Sequence, residues 1–97
     1  MKKNNMKPHR VKHIPTGLYY KPYGNNSNLS AVGKVYLNNS DPFNVKNGDD
    51  SIYIAIRKSH SILKKFPDAF PELKFDEWGN KYCGYISKSK FIVEYLE

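Results

Sequence analysis

Three histidines, one cysteine and nine carboxylates are the side chains of this chain best suited to chemistry, and their spacing limits what they can do. His9 and His13 stand four apart, a spacing that brings two imidazoles to one metal on a helix. Pro8 and Pro15 flank them, however, and the first acid of the chain is Asp41, so no metal site is expected. Cys83 with His13 or His60 has the composition of a nucleophile and its base. In the context KYCGY it reads more simply as a small buried strand residue. The neighbouring carboxylates Asp49/Asp50 and Asp76/Glu77 sit beside glycine or turn residues, where solvated turns and helix caps are their ordinary role. The NGDD cluster that includes the first pair lacks the alternating ligands and closing Glu of a calcium loop. The chain contains no GxxxxGK[ST], GxGxxG, HExxH or CxxC pattern. These observations predict a protein that is not an enzyme, with no catalytic residues, no metal and no cofactor.

Binding is what the charge supports. Residues 1–40 hold Lys2, Lys3, Lys7, Arg10, Lys12, Lys21 and Lys34 and no acid, so the whole formal charge of +7 belongs to them. The remainder balances its own basic and acidic residues. Most of the cations are lysines, flexible point charges that attract anions generally instead of gripping a carboxylate or phosphate in a planar fork. Eight tyrosines add aromatic faces. If Leu18 and Tyr20 point inward with Val35 and Leu37, alternation gathers Tyr19, Lys21, Lys34 and Tyr36 on the opposite face. With Lys12 and His13 they form the predicted ligand-binding set, a platform for an anionic aromatic ligand. The plainer alternative is a solvated face on which lysine stems cover tyrosine rings. Arg57, Lys58, Lys64 and Lys65 are the second-choice basic surface.

The elements that must position these residues follow from periodicity. Ninety-seven residues make one domain, with an aromatic-rich core of modest size. Residues 1–10 read as a basic flexible arm and residues 11–97 as a single α+β domain. Residues 11–14 form a strand stopped by Pro15, Thr16 and Gly17 turn the chain, and residues 18–21 resume extended structure before a polar loop over 24–28. Residues 31–37 form the next strand, with Gly33 at a bulge or a close backbone approach. Residues 38–50 are loop, with Phe43 and Val45 pinned to the core. Residues 51–66 fit an amphipathic helix, although Ile52, Ile54 and Ile56 also alternate as a strand, and the helical reading leaves Ile54 on its polar side. The full helix is favoured over a strand to Arg57 followed by a short helix. Residues 73–78 and 81–86 form a hairpin with a Gly-first turn at Gly79, and residues 91–96 are a last strand. The expected fold is thus α+β, a small antiparallel sheet with one principal helix.

The runs VKHIPTGLYYKP and LSAVGKVYL, with the closing FIVEYLE, resemble a group of small, mostly uncharacterised proteins of tailed bacteriophages. The resemblance covers about a third of the chain and rests on structural motifs, a Pro-Thr-Gly turn and a Gly-Lys-Val-Tyr strand. It implies an accessory protein that binds a host component, including counter-defence against a host immune signal, and it carries no catalytic residue with it. Together with the charge, it leads to the expectation of a non-enzymatic protein that sequesters an anionic, nucleotide-like host signal. Single-stranded nucleic-acid binding is one alternative and an inhibitor docking on an acidic host protein is the other. A lone cysteine, a basic amino terminus without an apolar run and no stretch of membrane-spanning length predict a cytoplasmic protein without membrane contact. Pairing of residues 91–96 with a second copy predicts a homodimer or higher homo-oligomer.

Overall fold

The computed structural model describes residues 5–22, 26–38, 41 and 50–96. In chain order its strands begin with β1 (Asn5–His13), β2 (Tyr19–Tyr20), β3 (Leu29–Ser30) and β4 (Tyr36–Asn38). They continue with β5 (Ser51–Arg57), a single helical turn α1 (Ser61–Lys65), β6 (Lys74–Asp76), β7 (Lys81–Ser87) and β8 (Phe91–Tyr95).

The longest strand is the axis of the larger sheet. At one edge of β1, Lys12 pairs with Tyr19 of β2 and, further toward the chain start, His9 pairs with Tyr36 of β4. The other edge carries β8, from His9 opposite Tyr95 to His13 opposite Phe91. β3 continues the sheet beyond β2. What ends β1 is the sequence I-P-T-G. Pro15 offers no ladder donor, and Gly17 takes φ +75° so that its N–H reaches the His13 carbonyl at 2.7 Å. The Thr16 hydroxyl accepts the Leu18 N–H at 3.2 Å and closes the turn.

The smaller sheet has the order β5-β7-β6, all antiparallel, with every residue of β5 paired to β7. Its isoleucines explain why it forms. Ile52, Ile54 and Ile56 all fall on one face, with Ile86 opposite Ile52, and all four are buried. Val11, Leu29, Ile62, Leu73 and Phe91 join them in one core, on which Leu18, Tyr20, Leu63, Phe66, Phe70 and Tyr82 pack.

The two sheets are stitched along β5. Ser27 bridges Ile56, Arg57 N–H donates to the Asn26 carbonyl at 2.7 Å, and Asn28 N–H donates to the Ala55 carbonyl at 3.1 Å. The Asn28 side chain acts as a further piece of backbone, accepting Ala55 N–H at 2.9 Å and donating to the Lys21 carbonyl at 2.9 Å. Donors and acceptors of Ala55 and Arg57 on the edge of β5 away from β7 are satisfied in this way.

The principal helix of the α+β expectation is therefore replaced by mostly antiparallel β structure in two sheets. Residues 51–57 are strand, because pairing with β7 buries all three isoleucines where a helix leaves Ile54 in water. The helix that remains, Ser61–Lys65, begins where the His60 side chain accepts Ile62 N–H and ends before Pro67. Residues 5–10, expected in a flexible arm, form the first part of β1. Of the strand expected over 31–37 only residues 36 and 37 are strand, since Gly33 takes φ +69° and packs against Tyr19, where a Cβ would overlap the tyrosine's own Cβ. That kink resets the alternation by one residue. Tyr36 is 6% exposed, while Val35 and Leu37 are 44% and 61% exposed, the reverse of the expected faces. The hairpin between β6 and β7 is present, but Asp76 pairs with Lys81 and the left-handed residue of the turn is Asn80, not Gly79. Gly24, Phe43, Val45 and the turn at 47–49 lie outside the described residues.

Candidate anion-binding cleft

A cleft of about 700 Å³ opens between the β2–β3 side of the larger sheet and α1. Lys21, just past β2, and Lys65, on α1, both line it, together with the apolar side chains of Leu18, Leu29, Ile62 and Phe66. Lys21 is fixed by its position just past β2, where its N–H donates to the Asn28 carbonyl at 2.8 Å and its carbonyl accepts from the Asn28 side chain. Lys65 is in the last turn of α1, with its ammonium 5.9 Å from the Phe66 ring centroid. Ser27, Ser30 and Ser61 supply hydroxyls around the rim. His60 also lines the cleft, and its Nδ1 already accepts the Ile62 N–H at 3.1 Å. In neutral imidazole the proton is then on Nε2, which is left as a donor. The cleft can thus offer two cations to an anion and apolar surface to a flat body. Its volume falls in the range of small-molecule sites.

The structure distributes the predicted ligand-binding residues over several places and brings only Lys21 into this cleft. Lys12 and Tyr19 are on the outer face of the larger sheet, beside Arg10 and Glu94. There the Tyr19 hydroxyl donates to Glu94, the Arg10 guanidinium lies 3.8 Å from the Tyr19 ring centroid, and Arg10 and Lys12 each come within 3.6 Å of the carboxylate. The Tyr19 bond, ahead of the two cations, holds the Glu94 carboxyl below its usual range, and the same bond pushes the Tyr19 hydroxyl up. The acid has taken the place that an external anion was expected to occupy. Lys34 is exposed with its ammonium 5.5 Å from the Tyr36 ring centroid, and Tyr36 itself faces inward against His9. Of the second set, Lys65 lines this cleft, Lys58 and Lys64 line another of about 400 Å³ around Leu63 and Phe70, and Arg57 ends β5.

The four-residue spacing of His9 and His13 acquires a different meaning on a strand, where even spacing shares a face. Both imidazoles are completely buried, and they are held differently. His9 Nδ1 lies 2.7 Å from the Lys7 carbonyl and Nε2 2.8 Å from Asp41 Oδ2. The Lys7 carbonyl can only accept, so Nδ1 carries a proton, and the Asp41 carboxylate beside Nε2 favours a second one there. Burial pushes the group down, but the Lys7 carbonyl and Asp41 outweigh it and raise it above the ordinary 6.5. His13 is stacked on Phe70 at 5.3 Å and tilted against Phe91 at 5.2 Å. Its Nδ1 meets the Thr16 hydroxyl at 2.9 Å, and Nε2 has no hydrogen-bond partner among the described residues. Burial, opposed by Glu72 and assisted by Lys90, pushes His13 down to about 4. Among the described residues no group of three or more His, Cys, Asp or Glu could hold a metal. Cys83 sits half-buried on β7.

These environments fix the pH dependence of folding. His13 binds a proton less readily folded than unfolded, so its contribution is complete above about pH 6.5 and is lost as pH falls toward 4. At about 1.4 kcal/mol per pKa unit the loss is on the order of 3 kcal/mol. His9 has the opposite sign: its contribution is complete below 6.5 and declines only as pH rises through its elevated value. Urea melts of the wild type are expected to show stability falling between pH 6.5 and 4, and His13→Phe is expected to flatten that interval. An equally steep fall in the variant would assign the loss to other groups.

Residues that sequence reasoning did not single out include Ser27, Ser30 and Ser61, and His60 was considered only as a base for Cys83. Only the S-H-S run before a short apolar stretch carried a signal, that of a helix start. The chain matches no family model, no curated protein and no solved structure. Among the described residues no helix is long and apolar enough to cross a membrane.

Proposed function

We propose that this protein is a non-enzymatic binding module that sequesters a small anionic, nucleotide-like ligand in the cleft between Lys21 and Lys65. The observation that carries the proposal is the cleft itself, whose lining combines one lysine from each basic region with apolar side chains that include Phe66. Phosphates suit the two ammonium groups, the serine hydroxyls and the His60 ring. A base or other flat body suits the apolar side chains. With the resemblance to phage accessory proteins, the ligand is read as a host signal and the working compartment as the host cytoplasm.

A panel of cyclic and linear nucleotides in thermal melting tests this reading. One member is expected to raise Tm by roughly 10 °C at a hundredfold excess over its Kd. Heating is expected to release that nucleotide unchanged. Lys21→Glu combined with Lys65→Glu should abolish the shift, whereas Lys64→Glu, one residue away but lining the other cleft, should keep it. A panel without any shift, or an undiminished response in the double variant, overturns the assignment. Recovery of one acidic host protein in place of any nucleotide would favour the inhibitor alternative.

A further inference from the structure

The outer face of the smaller sheet carries a pattern unrelated to the cleft. Side chains alternate along β5 and β7, so the face opposite the isoleucines presents Tyr53 beside Tyr85, then Ala55 beside Cys83, then Arg57 beside Lys81. β6 adds Lys74 next to Cys83 and Asp76 next to Lys81. The two tyrosine rings meet edge to face at 5.3 Å and are 42% and 62% exposed. Ala55 and Cys83 are small enough to leave them standing above the sheet. Three cations against one carboxylate lie on the same face, with Arg57 on the order of 13 Å along the strand from Tyr53 at ~3.3 Å per residue.

From this arrangement we infer that the outer face of the smaller sheet is a platform for single-stranded nucleic acid, with bases stacked on Tyr53 and Tyr85 and phosphates running toward Lys74, Arg57 and Lys81. Exposed rings on a sheet accept any base face, and the cations supply sequence-independent attraction. A duplex keeps its bases stacked on each other and cannot use the rings. A second copy of the chain would set these cations against their own kind, whereas a polyanion complements them. The inference stands whether or not the cleft takes a nucleotide.

The test is fluorescence anisotropy with a labelled oligothymidylate of roughly 12 nucleotides, a site size within the range of single-strand binders. Wild type is expected to bind with an affinity that weakens log-linearly as salt rises from about 50 to 200 mM. Tyr53→Ala with Tyr85→Ala is expected to weaken binding at least ~10-fold, because each stacked base is lost. Tyr53→Phe with Tyr85→Phe keeps the rings and is expected to bind within about 3-fold of wild type, with melting curves confirming that both variants fold. The Lys21→Glu, Lys65→Glu variant is expected to bind the oligonucleotide as wild type does. No anisotropy change with wild type, unaltered binding by the alanine pair, equal binding of a duplex, or loss of binding in the cleft variant would each overturn the inference.

Discussion

Replacing Asp41 with alanine is expected to destabilise the protein by roughly 3–5 kcal/mol, a large share of the ~5–15 kcal/mol that holds a domain together. Both members of the His9–Asp41 pair are fully buried at 2.8 Å. Taking two charges out of water is costly, and the cost is offset only while each charge has its partner. His9 is also bound to the Lys7 carbonyl and enclosed by the rings of Tyr36 and Tyr95, at 6.1 and 5.7 Å. Without Asp41 the imidazolium is left uncompensated, or it sheds a proton and leaves one nitrogen without a partner. Urea denaturation at pH 7 measures the loss. The double variant His9→Phe, Asp41→Leu separates charge from packing, since an apolar pair of similar volume is expected to recover most of the stability. A loss below about 1 kcal/mol in Asp41→Ala would mean that the pair is solvated and does not organise this end of the sheet.

The second large effect is expected at Ile54. Ile54→Ala should cost about 4 kcal/mol, within the ~2–5 kcal/mol seen for deep isoleucine truncations. Ile54 is completely buried in the middle of β5 and lies opposite Gly84, whose missing side chain cannot help to fill the space left behind. The Glu72 carbonyl and the backbone and side chain of Leu73 already crowd the position a Gly84 Cβ would take, so neither strand can easily move in. The site therefore has little freedom to collapse. Chemical denaturation with an unchanged slope is the measurement. A cost under about 1 kcal/mol would restore the helical placement of residues 51–57, in which Ile54 faces water.

Ile54 also shows how far the fold was legible. The sequence S-I-Y-I-A-I-R satisfies a period of two perfectly and a period of 3.6 nearly as well when Ile62, Leu63 and Phe66 are added. Nothing local separates the two. The decision came from Tyr82, Gly84 and Ile86 on β7, which offer a partner strand in register. The same holds for residues 31–37, where Gly33 was recognisable as a close approach but the partner, Tyr19, was not. That contact inverts the faces of Val35, Tyr36 and Leu37. At the cleft, Lys21 and Lys65 were both legible as basic surface residues, yet they belong to different predicted sets, and only the folded chain brings both to the lining of one cleft. Asp41 was visible as the first acid in the chain. That it reaches back to His9 is a property of the folded sheet.

The pairing of β1 with β8, His13 against Phe91, has a consequence for the order in which the chain can fold. The β6–β7 hairpin is closed by a short turn and forms early, but β1 is made first and must wait for nearly everything after it before one of its two edges is covered. Closing so long a loop is entropically slow, and topologies of this kind refold in milliseconds to seconds, not microseconds. During that interval a nascent chain exposes a long strand edge, the usual template for wrongful association with neighbouring chains. Lys7, Arg10 and Lys12 are spaced along that strand. Like charges on such edges repel, and charged strand edges oppose edge-to-edge association between incompletely folded copies.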